Sequence, residues 1–117
     1  NTNLEEIADE FLNRGPDIVI IKRGSKGSLL ATGDKKVHLS VVPNTPIIDP
    51  TGAGDSFAGG VLGYIAINGY NNLIDAVKHG TAVASYTVSD FGINGLCKIK
   101  KDKLDQKIAL IKKINSE

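Results

Sequence analysis

The sequence has no tryptophan and no methionine, one cysteine, two histidines and only 5% aromatic residues. A lone Cys97 excludes an internal disulfide framework. Cytoplasm is therefore the expected compartment, and Cys97 reads as a small buried residue rather than a nucleophile. His38 has no cysteine, aspartate or second histidine at ligand spacing, so it reads as a surface or edge residue of a strand rather than a metal ligand. Charge of one sign is also lacking, since 14 Lys and Arg face 13 Asp and Glu for a formal charge of +1. Nothing in that balance points to nucleic acid or a membrane surface as a partner. The longest apolar run, Phe57 to Ile67, is too short and too rich in glycine to span a bilayer. The start, NTNLEEIADEF, has neither the basic nor the apolar region of a secretory leader. G-x-x-x-x-G-K-[ST] is missing, which leaves a Walker-type nucleotide cradle unsupported.

What is present is a globular composition, 117 residues with 41% hydrophobic and 23% charged side chains, enough for one domain with a real core. Its densest stretch is PIIDPTGAGDSFAGG, Pro46 to Gly60. Ile47 and Ile48 suit a strand end, Pro50 breaks it, and Gly52 and Gly54 permit a tight turn. A helix is expected to begin near Asp55. The unpaired N–H groups at such a start, with the positive end of the helix dipole behind them, form an anion site. Two carboxylates flank the glycines. Asp55, at the edge of the anion site, is either the N-cap of the helix or a base that takes a proton from a hydroxyl attacking phosphorus.

DPTGAGDSFAGG resembles the D-[TP]-[TX]-G-A-G-D signature of the ribokinase/pfkB family of carbohydrate and nucleoside kinases, including the small, glycine-rich helix that follows it. The resemblance implies that Gly52, Ala53 and Gly54 form a backbone anion hole for the transferred phosphate and that Asp55 is the catalytic base. It also implies that Asp49, Thr51 and the backbone of Gly92 help to hold a monovalent cation, potassium, in those members that use one. IIKRGSKGSLL is similar to the family's strand followed by T-x-G-x-x-G, with Lys22 where a threonine-like residue is usual. Gly24, Ser25 and Gly27 would then neighbour the nucleotide; on residue type alone the same segment is an ordinary hairpin turn with Lys26 facing solvent. The resemblance further places His79, Gly80 and Val83 beside the nucleotide, against the plainer reading of a packing helix.

Along the rest of the chain, Asn3 and Glu6 form a capping pattern, and Leu4, Ile7, Ala8, Phe11 and Leu12 recur at helical spacing until Gly15 and Pro16. Glu5, Glu6, Asp9, Glu10 and Arg14 read as its solvated face. Asp17 to Lys22 is a short apolar run expected as a buried strand of a parallel sheet. Ser28 to Val42 reads as a hairpin. The helix after the central turn should run to about Asn68 with Phe57, Val61, Leu62, Ile65 and Ile67 as core. Its Gly59, Gly60 and Gly63, each costing about 1 kcal/mol relative to alanine, imply close packing. A further helix is expected from Asn72 to about Ser89, then a loop to Gly95, then a terminal amphipathic helix carrying Leu104, Ile108, Ile111 and Ile114.

The expectation is an α/β fold, the C-terminal portion of a ribokinase-like sandwich with a mainly parallel sheet, one hairpin and flanking helices. Family members are two to three times longer, so residues 1–117 would be the C-terminal part of a kinase domain whose N-terminal half is supplied elsewhere or replaced by a partner, including a second copy in a homodimer. The implied function is transfer of a phosphoryl group from ATP, with Mg²⁺ accompanying it, to a hydroxyl of a small sugar or nucleoside. A non-catalytic nucleotide- or anion-binding module is the alternative. A dinucleotide oxidoreductase is disfavoured, because Phe57 stands where G-x-G-x-x-G needs its third glycine.

Overall fold

The computed structural model describes residues 3–114. The chain divides into two compact units, one comprising residues up to Val41 with those from Lys112, the other Val42–Ile111.

The first unit opens with helix α1, Leu4–Asn13, capped by the Asn3 side chain, which accepts the Glu5 N–H at 2.8 Å. Strands β1 (Ile18–Lys22), β2 (Ser28–Thr32) and β3 (Lys36–Leu39) follow, and β4 (Lys113–Ile114) completes a sheet of order β1-β2-β3-β4. The expected parallel sheet is overturned, since every pairing among the described residues is antiparallel, with Ile20 opposite Leu30 and Leu30 opposite Val37. The physical reason is the connection: five residues join β1 to β2, whereas a parallel crossover needs about a dozen or more. The apolar run that suggested a strand buried on both faces is instead only half-buried. Alternation still sets the packing. Ala8 of α1 meets Leu29 and Ala31 of β2, with Leu4, Leu12, Val19 and Ile21 around them.

Two charged residues read as a solvated face are tied to this sheet. Glu5 Oε2 lies 3.0 Å from His38 Nε2, and Lys36 Nζ lies 2.8 Å from Asp9 Oδ1. His38 is therefore buried, at 7% exposure, rather than a surface residue. It stands opposite Leu29 in the register and so shares the face that α1 covers. Ile114, expected on the last helix, instead pairs with His38 in β4.

The second unit is helical, with α2 (Ala53–Asn68), α3 (Leu73–Val88), α4 (Asn94–Cys97) and α5 (Lys101–Ala109). Its centre is the α2–α3 contact, where a Cβ on Gly60 would stand 2.8 Å from the Cα of Gly80, and one on Gly80 would stand 2.7 Å from the Phe57 carbonyl oxygen. Only glycine allows that approach. Phe57 and Val61 of α2 and Ala76, Val77 and Ala82 of α3 are buried around it. The packing expected for Gly59 and Gly63 is absent, because a Cβ at either meets nothing within 4 Å. Leu62 and Ile67, expected in the core, are 65% and 84% exposed. Ile47 and Ile48 form no strand. Cys97 is exposed at the end of α4, a four-residue helix in what reads as loop.

Candidate active site

The central turn enters α2 through Gly52, whose backbone is left-handed at φ 81°, a conformation glycine adopts without strain. The first intrahelical bond runs from Ser56 N–H to the Gly52 carbonyl at 2.9 Å, and the Ala53 N–H turns back to the Pro50 carbonyl at 3.2 Å. Among the described residues the Gly54 and Asp55 N–H groups find no backbone acceptor. They are the orphan donors of a helix start. Ala53 is thus the member of the expected anion hole whose amide is engaged within the turn.

Asp55 is the third helical residue and is exposed, and Gly52 holds the N-cap position. The reading of Asp55 as the N-cap is thereby excluded. Its carboxylate stands in the first turn, at the positive end of the dipole.

Asp49 folds back over the turn, its Oδ1 accepting the Thr51 N–H at 3.0 Å. Thr51 donors, first its backbone and then its hydroxyl, hold the Asp49 carboxyl below the ordinary carboxylate value; burial opposes them, and the Gly92 backbone adds the least of the lowering contacts. Asp49, Thr51 and Gly92, the three residues proposed around a cation, are thus brought together. Gly92 takes a left-handed conformation, φ 55°. Asp90 nearby is bound to Lys98 Nζ at 2.5 Å and to the Phe91 N–H at 2.7 Å. Its carboxylate is occupied.

The turn hangs on the end of α3. The Val88 carbonyl accepts N–H groups from both Ile48, at 2.7 Å, and Asp49, at 3.0 Å. Ser56 Oγ and Thr87 Oγ1 are 2.6 Å apart. The sequence reading missed this support, whose only signal was a pair of hydroxyl residues 31 positions apart on two helices.

The residues proposed beside the nucleotide fall in both units. Gly24 and Ser25 are exposed in a 3-10 turn, Gly24–Lys26, which the Gly27 carbonyl closes by accepting the Arg23 N–H at 2.8 Å. Gly27 is buried with φ 96°, and a Cβ there would run into the Leu39 carbonyl. In the second unit His79 Nδ1 lies 3.0 Å from the Gly60 carbonyl, and its ring lies 5.7 Å from that of Tyr64. Gly80 is buried in the α2–α3 crossing, and Val83 borders it, 3.3 Å from where a Gly60 Cβ would stand.

Comparison with known proteins places this turn in context. The pfkB family of carbohydrate kinases matches residues 1–100. The chain belongs to that family. A 5-dehydro-2-deoxygluconokinase of Photobacterium profundum is 38% identical over 89 residues, covering 76% of this chain and 26% of that protein. A nucleoside kinase of Methanocaldococcus jannaschii is 40% identical over 84 residues, covering 72% of this chain and 27% of that protein. The crystal structure of a ribokinase from Thermotoga maritima superposes with a TM-score of 0.77 at 29% identity, over 92% of this chain and 35% of that one. This pfkB chain therefore spans about a quarter of the length of the curated relatives it matches. Among the described residues, no helix of this pfkB chain is long and apolar enough to cross a membrane.

Proposed function

We propose that this chain carries the phosphoryl-transfer centre of a pfkB-type kinase that uses ATP to phosphorylate a hydroxyl of a small sugar or nucleoside. The observation that carries the reading is the junction of turn and helix: free amides on Gly54 and Asp55, and an exposed carboxylate on Asp55, at one helix start. A carboxylate is a poor neighbour for a phosphate that is only bound, but a useful one for a hydroxyl that must lose its proton.

Asp55 takes that proton as the acceptor oxygen forms its bond to the γ-phosphorus. The bond from phosphorus to the bridging oxygen breaks, and ADP leaves with that electron pair. Charge building on the transferring oxygens is met by the helix-start amides, which are already oriented and cost no reorganisation. Mg²⁺, which screens phosphate charge when bound, would be carried by the nucleotide's own phosphates and water, its usual habit in kinase sites. Asp49, Thr51 and Gly92 stand together beside the turn, and the Asp49 carboxylate would supply the hard oxygen and the charge for a potassium seat there.

The chain would form the C-terminal part of the kinase domain. Helix α2 supports this, being apolar on both sides: Phe57 and Val61 are buried, while Leu62 and Ile67 are open to solvent. A helix apolar all round belongs in the middle of a larger structure. The test is ATP-dependent phosphorylation of a panel of sugars and nucleosides by the full-length protein. Equimolar ADP and phosphorylated acceptor are expected. Nucleotide binding without transfer to any acceptor would instead mark a non-catalytic binding module.

A further inference from the structure

Ser56 and Thr87 have no place in the chemistry described above, yet they join its two supports. Ser56 follows Asp55 in the first turn of α2, and its N–H makes the first intrahelical bond, to Gly52. Thr87 is the penultimate residue of α3, is 4% exposed, and places its hydroxyl 2.6 Å from that of Ser56. Its methyl group lies under the turn, 3.9 Å from where a Cβ on Gly52 would stand. The next residue, Val88, offers the carbonyl that takes the Ile48 and Asp49 N–H groups. Two consecutive residues of α3 therefore grip the turn on both sides of its glycines.

We infer that the Ser56–Thr87 hydroxyl pair is a latch that fixes the helix-start amides and the Asp55 carboxylate in the geometry phosphoryl transfer requires, making both residues positioning residues of the reaction. Left-handed Gly52 and the glycine at 54 give the turn several accessible backbone conformations. A part-buried hydrogen bond across to a packed helix selects one. Because the two hydroxyls are spent on each other, loss of the latch should leave binding intact and lower the rate of the chemical step. Misplacement by about 1 Å suffices for a large loss in rate.

The inference rests on the kinase reading, and its test separates the two. In the full-length protein, Thr87→Val removes the hydroxyl at nearly constant shape, Thr87→Ser keeps it, and Ser56→Ala removes the partner if Thr87→Val does not fold. Thr87→Val and Ser56→Ala are expected to lower kcat about tenfold or more with KM for ATP nearly unchanged. Amide exchange at Ser56, whose N–H is held by the Gly52 carbonyl, should quicken while that in the middle of α3 stays the same, and Thr87→Ser should restore both. Wild-type kcat and wild-type exchange in Thr87→Val and Ser56→Ala would overturn the latch, as would a Thr87→Ser variant as impaired as Thr87→Val. If these variants are normal while Asp55→Asn is inactive, the latch fails and the kinase reading stands. If no variant of the protein, nor the wild type, transfers phosphate, the kinase reading fails; the exchange rates then still decide whether the hydroxyls hold the turn.

Discussion

At the residue scale, Asp49 and Gly27 give the most direct expectations. The Asp49 carboxyl is held below its ordinary value by the Thr51 donors first and Gly92 after them. A carboxyl depressed in the folded state contributes stability that is present above its unfolded value and lost as pH falls through the lower folded one. The turn should therefore hold through neutral and mildly acid solution and loosen only in stronger acid. A carbon-13 titration of Asp49 should give a midpoint below the ordinary carboxylate value, with the Thr51 amide shift moving in step; an ordinary midpoint would mean the Asp49–Thr51 bond is not kept. If the same carboxylate seats potassium, turnover should rise with potassium and lose that response in Asp49→Ala. A rate indifferent to potassium and sodium would remove the cation from the account. Gly27→Ala should destabilise the first unit by roughly 2 kcal/mol or more in chemical denaturation, since it combines a left-handed backbone with a blocked Cβ. These residues differed in how readable they were. The turn from Asp49 to Asp55 stood out only through the resemblance of its whole string to a family signature, since residue type alone left Asp55 open, whereas His38 misled. Polar alternation on β3 could not reveal a helix carrying Glu5 laid across that face.

At the element scale, α2 carries the argument. Its glycines look alike in sequence but divide in the structure: Gly60 meets Gly80 at the helix crossing, and Gly59 and Gly63 face open space. In the 117-residue chain, Gly80→Ala should therefore cost roughly 1–3 kcal/mol by forcing a methyl onto the Phe57 carbonyl and Val61. Gly63→Ala should instead stabilise by up to about 1 kcal/mol through helix propensity. Thermal unfolding of both variants checks the contrast, and equal effects would contradict it. The longer helices were legible because periodicity, and at α1 the Asn3 cap, are local signals, whereas the four residues of α4 are too few to show a period. The β2–β3 hairpin was legible from its turn residues, but the partner of β1 was not, since an apolar run specifies burial and leaves direction to the connection, and the five residues between β1 and β2 required the antiparallel answer.

At the scale of the whole molecule, the outer face of α2 and the quarter-length match to relatives lead to one expectation. If the remainder of a kinase domain covers Gly59, Leu62, Gly63 and Ile67, the sign of Gly63→Ala should reverse in the full-length protein, where its methyl would meet a neighbour. Stabilisation in both forms would mean that the face stays open. The acceptor was not legible at any scale, because the described residues of the proposed centre offer no side-chain set that would choose a sugar over a nucleoside.

The central claim is that Asp55 is the base of a phosphoryl transfer. Asp55→Asn keeps the size and polarity of the side chain and removes its ability to accept a proton at neutral pH. Measured in the full-length protein with its best acceptor, Asp55→Asn should lower turnover by a factor of at least about a hundred while ATP binds as tightly as before. Turnover equal to that of the wild type would contradict the assignment.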